Sequence, residues 1–101
     1  MSTSSGYSLS PLARLDLEDI WTYTRKRWSR RQADTYIRDI TGALAELATG
    51  IRIGVSAEDI RPDYRKYLIG AHIIFYRQGF DGIAVIRILH GSMDIASKLG
   101  S

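Results

Sequence analysis

Two histidines, a scatter of carboxylates and an excess of arginine are the side chains with which this 101-residue chain could do chemistry. His72 and His90 are the groups whose ordinary pKa lies near neutrality, so they suit general acid–base work. His90 ends an apolar run, close to Arg87 and just before a turn, where a side chain is often free to act; a capping or turn role is the favoured reading. His72 opens a strand-like run and reads as a structural histidine. With no cysteine, the chain has no thiolate metal ligand, no cysteine nucleophile and no disulfide framework. Two histidines are too few for an all-histidine zinc site. A glycine-rich phosphate loop after a strand, a zinc-binding histidine pair and a nucleophile elbow are all missing from the sequence. The carboxylates fall mostly in helical segments among arginines and read as a solvated face. No cofactor and no metal is expected.

Charge is the positive clue. Lys plus Arg total 14 against 11 Asp plus Glu, a net charge of +3. Only Lys26, Lys66 and Lys98 are lysines. The planar fork of arginine favours bidentate contacts to carboxylate or phosphate, although an ordinary basic domain with solvated arginines fits the same count. One cluster joins Arg61, Arg65, Lys66, Arg77 and Arg87 with Tyr64, Tyr67, Phe75 and Tyr76. It suits nucleic acid, through phosphate pairing and base stacking, or an acidic peptide. Which arginines share a face depends on strand register, because a slip of one residue reverses it. A second cluster, Arg25-Lys26-Arg27 with Arg30-Arg31, flanks Trp28. It reads as a recognition knob or as a solvated turn around a buried tryptophan.

The elements that must position these groups are legible from their periods. Residues 1–6 look like a flexible tail, and 7–99 like a single domain. Tyr7 to Ser10 alternates weakly and forms a short strand. Ser10 and Pro11 then start a helix, with a capping hydroxyl and a proline in the first turn. Ala13, Leu17, Ile20, Trp21, Thr24 and Trp28 follow helical spacing, and Arg25, Lys26 and Arg27 complement the dipole at the helix end. Ser29 to Gln32 reads as a capping box opening a second helix, with Ala33, Tyr36, Ile37, Ile40, Leu44, Leu47 and Ala48 on one stripe and Gly50 as its stop. Gly42 inside that helix suggests close packing against the first. Ile51 to Asp63 reads as a connecting loop. Tyr64–Ile69, His72–Arg77 and Ile83–His90 are strand-like, joined by Gly70-Ala71 and by Gly79 to Gly82 as hairpin turns. Met93 to Leu99 makes about one helical turn. The expected fold is α+β in the order β-α-α-β-β-β: a helical hairpin packed on a small antiparallel sheet, with the first strand at an edge.

No apolar run is long enough to span a membrane. The small polar start is not a secretory signal, so the expected compartment is the cytoplasm.

Tyr7-Ser8-Leu9-Ser10-Pro11-Leu12-Ala13, Asp16-Leu17-Glu18-Asp19-Ile20-Trp21 and Gln32-Ala33-Asp34-Thr35-Tyr36 resemble the opening of ParE-type toxins. Ile60-Arg61, Tyr64-Arg65, His72-Ile73-Ile74-Phe75-Tyr76-Arg77 and Arg87-Ile88-Leu89-His90 with Met93-Asp94 resemble their second half. In this order and spacing the strings are similar to the ParE/RelE toxin superfamily over nearly the whole chain, from about Tyr7 to Leu99, and that family has the element order read above. The resemblance implies the toxic half of a type II toxin–antitoxin pair, neutralised by a small ribbon-helix-helix antitoxin whose C-terminal segment wraps it. ParE-like members poison DNA gyrase; RelE-like members cut mRNA on the ribosome. Fold alone does not choose between them. The middle strand carries Ile73 where the nuclease branch has an arginine, and no tyrosine follows His90, which favours the gyrase branch and binding without catalysis. Arg65, Arg87 and His90 keep the ribosome-dependent endonuclease as the alternative, and a non-toxic binding module is a second one. Candidate gyrase-facing residues are Arg65, Arg87, His90, Met93 and Asp94. Candidates for the antitoxin are Leu12, Tyr23, Arg27, Arg31 and Arg38. Sequence-specific nucleic-acid binding by this chain alone is not expected.

Overall fold

Ser10 ties the start of the first helix to the sheet. Its hydroxyl accepts from the Ala13 N–H at 2.9 Å and donates to the Ile86 carbonyl at 2.6 Å. The computed structural model describes residues 6–99. Helix α1 runs Pro11–Arg27 and α2 runs Arg30–Thr49. Between them Ser29 caps α2 by accepting from the Gln32 N–H at 3.0 Å, and Gly50 ends α2 in the left-handed region. The indole N–H of Trp21 donates to Asp34 at 2.8 Å and fixes the two helices against each other.

The strands are β1 (Tyr7–Leu9), β2 (Val55–Ser56), β3 (Tyr64–Ile69), β4 (His72–Gln78) and β5 (Ile83–His90). They form one sheet in the order β1-β5-β4-β3-β2. The three long strands make the expected meander. The sheet nevertheless differs from a purely antiparallel three-stranded one in two ways. Strand β1 pairs in parallel with β5 at one edge. Strand β2 lies inside the stretch expected to be loop, with Val55 opposite Lys66 and Ser56 opposite Arg65; two residues are too few to display a period. Gly82 closes the β1 side. Its φ is +148°, and a Cβ there would collide with the Gly6 carbonyl, which accepts from the Ile83 N–H at 3.1 Å. The tail expected at residues 1–6 lies outside the described residues, except for this Gly6.

Both sheet faces are covered. On the helix side Ile20, Ile40, Leu44 and Leu47 pack on Ile74, Tyr76, Ile83, Val85 and Ile88. On the other side Phe75 and Leu89 meet Ala57 and Leu99, with Ile60, Ile73, Ile86 and Ile95 around them. The last helix, α3 (Ile95–Lys98), is capped by Asp94 and belongs to this second core. A bulge shifts the register between β4 and β5: Phe75 is opposite Arg87, but Tyr76 is opposite Val85, skipping Ile86. Val85 and Ile88, three apart, therefore reach the same core. Gly42 does not serve close packing; a Cβ there would meet nothing within 4 Å. Among the described residues no helix is long and apolar enough to cross a membrane, and no group of side chains could hold a metal ion.

Candidate protein-binding site

The sheet-borne basic cluster does not form one patch. Arg65 stands opposite Tyr76, Lys66 opposite Phe75 and Tyr64 opposite Arg77. Because neighbouring strand residues point to opposite faces, Arg65 shares the helix-side face with Tyr76, while Lys66 and Arg77 lie on the other. Arg65 donates to the Gly54 carbonyl at 2.6 Å.

Arg87 is bound more tightly still. Its Nε and Nη2 each donate to the Asp16 carboxylate at 2.8 Å, and its Nη1 donates to the Lys98 carbonyl at 3.1 Å. Asp16 also accepts from the Ile88 N–H at 2.9 Å. These bonds hold the Arg87 guanidinium above its already high ordinary pKa. Asp16, only 8% exposed, corrects the expectation of solvated helical carboxylates. The signal was in the spacing: Asp16 stands three after Ala13 and four before Ile20, both buried, on the inward stripe of α1.

His90 accepts from the Ser92 N–H at Nδ1, at 3.1 Å, and its Nδ1 also lies 2.7 Å from the Ser92 hydroxyl. Since an amide only donates, the neutral ring carries its proton on Nε2. His72, opposite His90 in the ladder, meets it edge-on with centroids 5.2 Å apart. The Tyr36 hydroxyl lies 2.8 Å from His72 Nδ1 and donates to the Ile69 carbonyl at 3.1 Å. Burial, then the neighbouring His90, pushes the His72 pKa down; burial pushes that of Tyr36 up. His72 is thus a partnered histidine of the fold. Met93 and Asp94 follow on an exposed turn, and Asp94 accepts from the Ser97 N–H.

On the hairpin, Leu12, Leu15, Tyr23 and Arg27 are exposed on α1. Arg31 and Arg38 are exposed on α2. Trp28, expected to be buried, is 68% exposed. It terminates α1, its N–H bonding the Thr24 carbonyl, and its backbone has already left helical geometry, so its side chain is carried off the inward stripe. Sequence reasoning also missed a cleft of about 390 Å³ at this end of the hairpin, lined by Tyr23, Trp28, Gln32, Tyr36, Asp39 and His72 among others.

The family model described as the ParE toxin of the type II toxin-antitoxin system parDE matches residues 7–95. The chain belongs to the ParE toxin family. A toxin ParE1 of Mycobacterium tuberculosis (strain H37Rv) is 44% identical over 97 residues, covering 95% of this chain and 99% of the relative. A toxin ParE1 of Caulobacter vibrioides is 39% identical over 94 residues, 93% and 97% of the two chains. The solved structure of a chromosomal ParDE toxin–antitoxin system from P. aeruginosa superposes with a TM-score of 0.72 over 88% of this chain and 98% of that one. At 18% identity that likeness concerns the fold alone. For this ParE-type toxin the α+β arrangement and the toxin–antitoxin membership expected from the sequence both stand.

Proposed function

We propose that this ParE-type toxin inhibits DNA gyrase by binding it, without catalysis of its own, and that a cognate antitoxin neutralises it. The observation that carries the binding reading is the engagement of the groups a nuclease would use. Arg65 is bonded to Gly54, Arg87 to Asp16, and the His90 Nδ1 to Ser92. Stabilising a phosphorane needs cations aimed at the reacting phosphate, and two of the three candidates are aimed inward at the protein. The gyrase-facing surface then consists of the exposed turn at Met93 and Asp94 beside His90, with Arg87 bracing the sheet near it and Arg65 tying down Gly54 at the sheet's other end. The antitoxin occupies the exposed surface of α1, where Leu12 and Tyr23 offer apolar anchors and Arg27 a cation, with Arg31 and Arg38 exposed on α2. A strand laid along β1 or β2 would also cover an open sheet edge.

Purified toxin added to gyrase and relaxed plasmid should block supercoiling or accumulate cleaved DNA, and co-purified antitoxin should abolish the effect. Unaffected gyrase at micromolar excess of toxin would sink this reading. Codon-associated mRNA cuts in a translating extract would replace it with the endonuclease, and unchanged growth on expression without antitoxin would point to a non-toxic module.

A further inference from the structure

The cleft at the α1–α2 junction shares Tyr23 with the proposed antitoxin surface and His90 with the proposed gyrase surface, so a further ligand there would bind the free toxin. Its walls are aromatic: Tyr23, Trp28 and Tyr36 line it, and Tyr23 and Trp28 are 65% and 68% exposed. Its rim is cationic. Arg27 lies one helical turn from both Tyr23 and Thr24, and its guanidinium sits 5.9 Å from the centre of the Trp28 ring. Arg31 and Arg38 flank Thr35, another lining residue, at four and three positions along α2. Among the described residues the ion pairs are those of Arg52 with Glu46 and Arg87 with Asp16, so none of the rim arginines is held in one. Its polar lining offers both hydrogen-bonding senses: exposed Gln32, Thr35 and Asp39 with the half-buried His72.

A positive rim around an aromatic cleft containing a carboxylate matches one class of ligand. An acidic peptide side chain entering the cleft would meet Asp39 and be repelled. A nucleotide would not, because its charge lies on the phosphate, at the rim, while its base is neutral, planar and often carries an exocyclic amine. We propose that this cleft binds single-stranded nucleic acid: one unstacked base lies between Tyr23, Trp28 and Tyr36, with its amine donating to Asp39, and the flanking phosphates pair with Arg27, Arg31 and Arg38. The volume falls at the lower end of the ~300–1,000 Å³ typical of small-molecule sites, enough for one nucleotide and not for a duplex. Recognition is by stacking and by the amine, without a defined sequence.

The test uses the full chain free of antitoxin and without gyrase, so its outcome is independent of the inhibitory function. Fluorescence anisotropy of labelled dodecamers at low salt is measured for oligo-dA, oligo-dC, oligo-dT, their RNA counterparts and a duplex. Single strands carrying amine-bearing bases should bind, with oligo-dT weaker and the duplex weaker still; DNA and RNA arms tell which source fits better. Trp28→Ala should weaken binding roughly tenfold, within the range measured for base–aromatic stacking, and Trp28→Phe should restore most of it. Arg31→Ala should lower the dependence of log K on log[salt] by about 0.7, as loss of one phosphate contact requires. Asp39→Asn should erase the discrimination against oligo-dT. Equal affinity for the duplex or unchanged affinity in Trp28→Ala would each overturn the proposal.

Discussion

The Asp16–Arg87 pair makes the sharpest prediction, because Arg87 was expected to face the target and is instead held inside the fold. Replacing Arg87 with Ala removes both guanidinium bonds to Asp16 and the one to the Lys98 carbonyl, and leaves the Asp16 carboxylate, 8% exposed, with the Ile88 N–H as its remaining partner among the described residues. Breaking a buried pair from one side costs about 3–5 kcal/mol, since the surviving charge is left desolvated. Against a total of about 5–15 kcal/mol for a native domain, that loss is enough to unfold a large part of the population. Arg87→Lys should cost less, about 1.5–3 kcal/mol, the scale of one hydrogen bond to a charged group, because an ammonium cannot reproduce the two-pronged contact.

The decisive variant is the double substitution Asp16→Asn with Arg87→Met. Asparagine keeps an acceptor for the Ile88 N–H, and methionine refills the volume without charge. If the single loss comes mainly from an orphaned carboxylate, the double variant recovers more than half of it. Urea denaturation of the wild type, Asp16→Asn, Arg87→Met and the double variant, followed by circular dichroism, gives the coupling directly. A loss below about 1 kcal/mol in Arg87→Ala would refute the reasoning, placing the pair with weak surface bridges. The double variant also separates stability from target contact in the supercoiling assay. A folded double variant that inhibits gyrase makes Arg87 a brace; one that is folded and inactive makes it a contact.

Gly42→Ala should raise the urea midpoint, worth roughly 1 kcal/mol, because alanine is the better helix former and its Cβ enters open space. Gly82→Ala should cost more than about 1 kcal/mol and loosen β1, read as faster amide exchange at Ile83, because the new Cβ collides with Gly6. His72 has a lowered pKa in the folded protein, so the unfolded chain binds its proton first as pH falls. Its contribution is therefore complete above the ordinary value of 6.5 and declines as pH drops below it. A stability profile from pH 8 to about 5 should show that decline, flattened in His72→Asn.

Local chemistry made most of the fold readable. Ser10 and Pro11 start α1, Ser29 starts α2 and Gly50 ends it, because caps act on backbone groups within one turn. The long strands declared themselves through β-branched and aromatic runs bounded by glycine turns. Strand β2 did not, since its existence depends on Lys66 and Arg65 offering it a partner edge. The bulge at Ile86 was equally silent. It is one unpaired residue at the end of the apolar run Ile83-Ala84-Val85-Ile86, and its carbonyl is satisfied by Ser10, 76 positions away.

That bulge also explains why the site was harder to read than the fold. A strict alternation along β5 would put Val85, Arg87 and Leu89 on one face and Ile86 and Ile88 on the other. The bulge breaks the alternation, so that Val85 and Ile88 join the helix-side core and Ile86 and Leu89 the opposite one. Arg87, directly after the extra residue, reaches Asp16 on α1 while the next residue, Ile88, gives the same carboxylate its backbone N–H. Two consecutive residues converge on one acceptor here, one through its side chain and the next through its backbone N–H. An arginine's availability for a partner is thus decided by a one-residue irregularity and by a carboxylate 71 positions away. Residue type and linear spacing nominate Arg87 as a contact, and only the register shows where its charge is spent.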